Sequence, residues 1–441
     1  MDPIVKEIRS ILGENNDFFL QRDIVADSAV VLLCLDTLVD KQKTRVVLQK
    51  LIHGLLSQGT STQDIWNVIG ERIEGSSHKV ISAIKEGKLA INIEGTNRCI
   101  LFEPVSKMLN RSIDVSTNEN VIKGALNSFN EDIEINIGLL RKQIVSSQLT
   151  VNTFSIGNDI PKSLAILFIN GKVDTKIVEK VNSLIEKNKK MDISNIQGLS
   201  KMFEFSTWDT ISKFNSTELP YNASQSLKRG RIVLFIDQLP FAIILPNLLW
   251  DMFIVENDRN LPQPLMIALR CLRVIGLLVA LISPGLYVAL VAVNPEVLQI
   301  EIALSVLQSR EGVPYPAIVE VLIMLVILEL ILEAIVRLPK SIGPAITMVG
   351  GIILGQAIVE AKLVSNLLII ILAATTIGNS TLIGAQNFTS IRIYKYINVI
   401  LASIFGVFGL VTGFVIICAH MASINTFGKS YLHINTGRSE Y

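Results

Sequence analysis

"EVLIMLVILELILEAIVRLP" occupies residues 320–339. Twenty residues that are mostly Leu, Ile and Val suffice to cross a hydrocarbon core of about 30 Å as a helix. Yet the stretch carries Glu320, Glu329 and Glu333, with Arg337 near its end. Each residue turns a helix by about 100°, so Glu329, Glu333 and Arg337 share one face and Glu320 points almost the opposite way. Glu320 lies one turn inside the start, within snorkelling reach of the outer interface, and Glu329 falls near the middle. An ionised carboxylate at that depth needs a partner, water or a proton, and intramembrane acids mark ion paths by default. The expectation is that Glu329 and Glu333 line an ion path, becoming rings that concentrate monovalent cations when copies assemble. Arg337 then offsets part of that charge, and Glu320 faces a neighbouring helix or the outer headgroups. The competing reading is a Glu333–Arg337 pair that merely fastens helices.

Charge density divides the rest of the chain. Residues 265–428 hold seven acids and eight Lys/Arg in 164 positions, whereas the other 277 positions hold 64 of the 79 charges. No Asp follows Asp258. The first 260 residues therefore read as soluble and the next stretch as membrane-embedded. With 441 residues and a net charge of +1, more than one unit is expected and nucleic acid is not a main partner. "MDPIVKEIRSIL" has charges where a signal peptide has its apolar core, so the soluble half is expected to stay in the cytoplasm. Cys34, Cys99, Cys271 and Cys418 are far apart and form no metal or disulfide framework.

In the soluble half, "AVVLLCLD" (29–36), "KLAINIEG" (88–95), "SLAILFING" (163–171) and "GRIVLFID" (230–237) read as buried strands. "TKIVEKVNSLIEKNKK" has its apolar residues at helical spacing. The alternation predicts an α/β domain of two subdomains, 1–115 and 116–240, parted in the polar stretch "SIDVSTNENVIKG" (112–124). "STELPYNASQSLKRG" (216–230) reads as a loop. "LPFAIILPNLLW" (239–250) is too short and Pro-broken to span, so 241–264 reads as interfacial or re-entrant.

The transmembrane domain, 265–420, is expected to be all-α with about five spans, at 265–293, 316–338, 341–359, 363–387 and 396–420, followed by a tail at 421–441. Basic clusters at Arg270/Arg273, Arg337/Lys340 and Arg392/Lys395 then fall on the side of the soluble domain, the cytoplasmic side by the positive-inside rule. Five spans put the tail outside; a sixth, re-entrant crossing reverses that. Pro314 and Pro316 in "SREGVPYP" predict a rigid hinge before the Glu-bearing helix, and Pro284 in "SPGLY" predicts a helix break. Gly351/Gly355 and Gly409/Gly413 have GxxxG spacing, a signal for close helix packing. The polar run Thr375–Thr381 reads as packing through hydroxyls or, alternatively, as pore lining.

No HExxH, GxSxG or GxGxxG occurs, and "GKS" at 428–430 lacks the upstream Gly of a P-loop, having Ser423 there. The four histidines are isolated. The expectation is a non-enzyme without cofactor or metal.

Several long blocks resemble the A subunit of the GerA-type spore germinant receptors, a family that includes a stage V sporulation relative. They are "LRCLRVIGLLVALISPGLYVALVAVNPEVL", "SREGVPYPAIVEVLIMLVILELILEAIVRLPKSIGPAITMVGGIILGQAIVEAKLVSN" and "INTFGKSYL" (424–432). The soluble half is similar through "DFFLQRDI", "LDTLVDK" and "GRIVLFIDQLPFAIILP"; where the family has a pair of arginines, this chain has Arg141 and Lys142. The resemblance implies a multi-pass protein of the spore inner membrane that works with a transporter-like B subunit and a lipoprotein C subunit. It further implies assembly into a homo-oligomer, a pentamer, forming a nutrient-gated cation channel. The alternatives are a monomeric secondary transporter and a non-conducting scaffold for partner subunits.

Overall fold

The computed structural model describes residues 2–25, 28–57, 62–74, 76–96, 98–106, 127–146, 148–158, 161–193, 195–206, 209–338, 343–382 and 385–433. The boundary expected at 112–124 lies outside them. Internal contacts separate two units, one built on Met1–Trp208 and Phe214–Pro246, the other on Asp209–Lys213 and Asn247–Thr436.

The first unit opens with α1 (Pro3–Leu12), β1 (Phe18–Val25), β2 (Ser28–Leu35), α2 (Lys41–Ser57), α3 (Thr62–Ile69), β3 (Glu71–Glu74), α4 (Ser77–Lys85), β4 (Leu89–Ile93) and β5 (Arg98–Phe102). The same succession then recurs as α5 (Ile133–Gln143), β6 (Leu149–Ile156), β7 (Lys162–Ile169), α6 (Thr175–Lys187), α7 (Ile196–Met202), β8 (Asn215–Thr217), α8 (Pro220–Lys228), β9 (Ile232–Ile236) and β10 (Ala242–Leu245). The sheets repeat as well: β1-β2-β4-β5-β3 and β6-β7-β9-β10-β8, antiparallel throughout. The unit is thus an α/β fold made of two structural repeats.

The four strands read from sequence are β2, β4, β7 and β9, the corresponding interior pairs of the two sheets. Interior strands bury both faces, so they read as unbroken apolar runs. Two expectations are corrected here. Ala242–Leu245 is not interfacial: it is β10, an interior strand between β9 and β8, buried along its length. Residues 220–228 are not a loop but α8, started by Pro220 at its first turn, where a missing N–H costs nothing. Its Ser and Asn content hid the helix, although Ala223 and Leu227 bury completely.

The second unit is helical. It contains α9 (Gln263–Val288), which continues as a π-helical turn (Ala289–Val293), α10 (Ile300–Ser309), α11 (Ala317–Arg337), α12 (Gly343–Glu360), α13 (Asn366–Ser380) and α14 (Ala385–Ser423). Among the described residues, Gln263–Val293 and Ser390–Ser423 are long and apolar enough to cross a membrane. α11, at 21 residues, is shorter than both and carries three glutamates.

α14 is not one rod. Gly406 has φ 60° and ψ −138°, and the chain turns back on itself there. A Cβ at Gly409 would overlap the Leu401 carbonyl, and one at Gly413 would overlap the Asn398 side chain. The Tyr394 and His420 rings meet at 6.1 Å. These contacts are possible only in an antiparallel hairpin of two arms, about 32 Å and about 26 Å long. Asn294 seats the turn by accepting the Val407 N–H through Oδ1 at 3.1 Å. The expected single crossing at 396–420 is therefore corrected to an out-and-back hairpin. It returns the chain to the end where α9 begins: Leu249 N–H donates to the Tyr431 carbonyl at 3.0 Å, and Tyr431 packs with Ile211 and Met252.

Pro284 does not break α9, which runs on to Val288. Ser283 Oγ donates to the Val279 carbonyl at 2.7 Å, and the irregular backbone comes only at Ala289–Val293. Pro314 and Pro316 lie in the non-helical stretch between α10 and α11.

Candidate functional site

α11 starts after Pro316, whose extended backbone makes the helix entry, and ends on Arg337, a cation where the helix dipole favours one. Its three acids meet three different surroundings. Glu320 is fully buried. Its Oε1 accepts from Arg310 Nη2 at 2.6 Å, and its Oε2 faces the Ser365 N–H at 3.4 Å. Ser365 Oγ caps α13 by accepting the Leu368 N–H and bonds the Tyr287 hydroxyl at 2.9 Å. One carboxylate thus ties α11 to the loop before it and to α13, and through Ser365 to α9.

Glu329 pairs with Arg392 through Oε2, and its Oε1 lies 3.3 Å from Lys395 Nζ. Both cations sit on the first arm of α14. The basic cluster that sequence reading assigned to the cytoplasmic edge is therefore what braces the mid-helix acid. No spacing rule links residues 329 and 392; only the approach of the first arm of α14 to α11 brings them together.

Glu333 accepts from Arg337 Nε at 2.9 Å and Nη2 at 2.6 Å within the same helix. These side chains are 58% and 77% exposed in the single chain. Glu329 and Glu333 therefore do not behave as one stripe. The former is held against its own chain, and the latter projects away from it.

Part of the polar run of α13 turns inward, with Thr375 and Asn379 buried and Ser380 exposed. Thr375 Oγ1 hydrogen-bonds Ser283 Oγ at 2.8 Å. Beside it α9 and α13 touch at a glycine pair missed in the sequence: a Cβ at Gly276 would come within 2.9 Å of the Gly378 carbonyl, and one at Gly378 within 2.6 Å of the Gly276 carbonyl. The two share no GxxxG, so only the crossing reveals them. Gly409 and Gly413 pack within the α14 hairpin. Gly351 and Gly355 differ, because a Cβ at either meets nothing within 4 Å. Their face of α12, flanked by exposed Met348 and Ile352, is unpartnered in the single chain.

Among the described residues no cluster of three His, Cys, Asp or Glu side chains could hold a metal. In the first unit, burial pushes the Cys34 thiol up to about 12 and the Cys99 thiol up to about 11. Thiols held protonated in this way are inert toward metals and nucleophilic chemistry.

A family model described as Bacillus/Clostridium GerA spore germination protein matches residues 6–438. The chain is 30% identical to the "Uncharacterized membrane protein YfkQ" of Bacillus subtilis (strain 168), covering 84% of this chain and 72% of that protein. It is also 30% identical to "Spore germination protein B1" of the same organism, covering 96% of this chain and 89% of that protein. Among solved structures, the N-terminal domain of the A subunit of the Bacillus megaterium spore germinant receptor GerK3 aligns at 18% identity and a TM-score of 0.41. That alignment covers 55% of this chain and 93% of that one.

Proposed function

Because the chain belongs to the GerA family of spore germination proteins, we propose that it is the A subunit of a nutrient germinant receptor. In this reading copies of it assemble in the spore inner membrane into a nutrient-gated cation channel. The second unit crosses the bilayer six times, through α9, α11, α12, α13 and the two arms of α14. An even number of crossings keeps both ends of that unit on the cytoplasmic side with Arg270, Arg273, Arg392 and Lys395. A transporter-like B subunit and a lipoprotein C subunit are the partners that the family resemblance suggests.

The observation that carries the channel reading is Glu333 with Arg337, a charged pair exposed on the side of an otherwise apolar helix. Hydrocarbon does not accommodate such a pair, and charges in a span face a bundle interior or a water-filled path. A neighbouring copy supplies that interior. Repeated around an axis, Glu333 forms a carboxylate ring that draws cations. Glu329, one turn deeper and about 6 Å along the helix, is neutralised by Arg392 and Lys395 and sets the field behind that ring.

The test is conductance from the purified full chain in liposomes. Glu333→Gln should cut cation current several-fold without changing assembly. Glu329→Gln should also cut it, because it leaves two uncompensated cations beside the path. Parent-like current from both variants would move the pore elsewhere, to the Thr375–Thr381 face. Absence of any current from well-folded protein leaves a scaffold. The secondary-transporter reading draws support from the broken backbone at Gly406 and Ala289–Val293; saturable, gradient-coupled flux would select it.

A further inference from the structure

α10 is the helix that the channel reading does not use. It is ten residues long, about 15 Å, too short to span. It lies between the far end of α9 and the start of α11, and its faces differ sharply. Ile300, Leu304 and Leu307 recur at i, i+4 and i+7, while Glu301, Ser305 and Gln308 recur at the same spacing one residue on. All six are exposed, Ile300 to 79% and Leu307 to 67%; only Val306 of this helix is buried.

A loose surface helix in water would not keep an apolar flank this bare. Its surroundings name the cover. Around it cluster the groups that sit at headgroup level: Tyr315 just before α11, exposed as an interfacial aromatic would be, and Lys362 at the turn between α12 and α13, whose Nζ lies beside Gly312. Arg310 follows α10 and is pinned at 2.6 Å to the buried Glu320. With Arg310 so held, the helix cannot swing far from the ends of α9 and α11. Those two helices carry exposed apolar side chains of their own, Leu286 and Ile323 among them.

We propose that α10 is an in-plane anchor seated at the acyl-chain boundary of the leaflet where α9 ends and α11 begins. Ile300, Leu304 and Leu307 enter the lipid, and Glu301, Ser305 and Gln308 remain in the headgroup layer. This rests on the multi-pass reading above and adds a lipid contact to it. The ligand class is the phospholipid itself. No anionic headgroup is called for, because α10 carries one acid and no cation within its span.

The experiment uses the full chain in phosphatidylcholine liposomes, with Cys271→Ser and Cys418→Ser removing the thiols of the second unit. An environment-sensitive dye is attached through Leu304→Cys, Ser305→Cys or, as a second apolar site, Leu307→Cys. A dye at Leu278→Cys on α9 reports the membrane reading separately. Doxyl-labelled lipid should quench the 304 and 307 dyes at least threefold more than the 305 dye, and aqueous iodide should reverse that order. Equal quenching of all three by iodide alone would overturn the proposal and put α10 in water. Shielding of the 304 and 307 dyes from both quenchers would also overturn it, assigning the flank to a second copy or a partner protein. A 278 dye untouched by lipid would overturn the membrane reading and this inference together, whereas a quenched 278 dye with an unquenched 304 dye would overturn this inference alone.

Discussion

Arg141 reaches Asp17 across the two repeats of the first unit: Nε donates to Oδ2 at 2.6 Å and Nη2 to Oδ1 at 2.5 Å, with both side chains buried. Asp17 also accepts from Thr37 Oγ1 at 2.8 Å, and Arg141 donates to Asn15 Oδ1 at 3.2 Å. Asn15 in turn accepts the Val151 N–H from β6 at 3.0 Å. A planar guanidinium suits this two-pronged pairing, and an ammonium does not.

Removing Arg141 leaves Asp17 charged, buried and without its main partner. Arg141→Ala should destabilise the first unit by about 3–5 kcal/mol, the usual cost of breaking a buried pair from one side. Arg141→Lys should recover little of it. The denaturant midpoint of the full chain, followed by hydrogen exchange at β6, checks this; a midpoint within error of the parent would refute the role.

Gly406 is required by geometry. Its φ is positive, and a Cβ there would overlap Asn294 Oδ1, the acceptor that seats the turn. Gly406→Ala should open the α14 hairpin and expose Cys418 to alkylation. Gly413→Ala should do so more weakly, by pushing on the Asn398 side chain. Unchanged Cys418 labelling in both would contradict the hairpin.

Gly351 and Gly355 meet nothing in their own chain, so Gly351→Leu and Gly355→Leu should leave the fold and melting temperature unchanged. Their effect should fall on assembly, since Leu separates backbones that Gly lets approach. Native mass or light scattering reads the result: the parent's oligomer size in both variants would show that this face meets lipid and not another copy.

Cys34 and Cys99 give a pH prediction with a definite sign. Their folded values, about 12 and about 11, lie above the ordinary thiol value of 9.0. The stability they support is full below pH 9 and falls as pH rises toward those folded values, because the unfolded chain ionises first. In the native protein at pH 8, alkylation should reach Cys271, which is exposed, while Cys34 and Cys99 react only after unfolding. Mass mapping of labelled sites checks it, and labelled Cys34 in folded protein would count against the burial.

Some of this protein was readable from residue order because the physics is local. Interior strands bury both faces, so β2, β4, β7 and β9 stand out as apolar runs. The repeat they belong to did not, since edge strands such as β6 mix Asn, Thr and Ser with apolar residues. Helix periodicity alone set Glu333 beside Arg337, four residues apart on α11. Charge density alone separated the apolar helical half from the rest.

What only the tertiary structure decided depends on contacts between residues distant in sequence. Gly406 in an apolar run reads as one more small residue until its φ turns α14 into a hairpin and brings Tyr431 to Leu249. Glu329 has no partner that the sequence names until the first arm of α14 sets Arg392 and Lys395 against it. A helix of one period can be told from its sequence, but which groups neutralise its charges is fixed by the packing of other helices, and no local pattern records that.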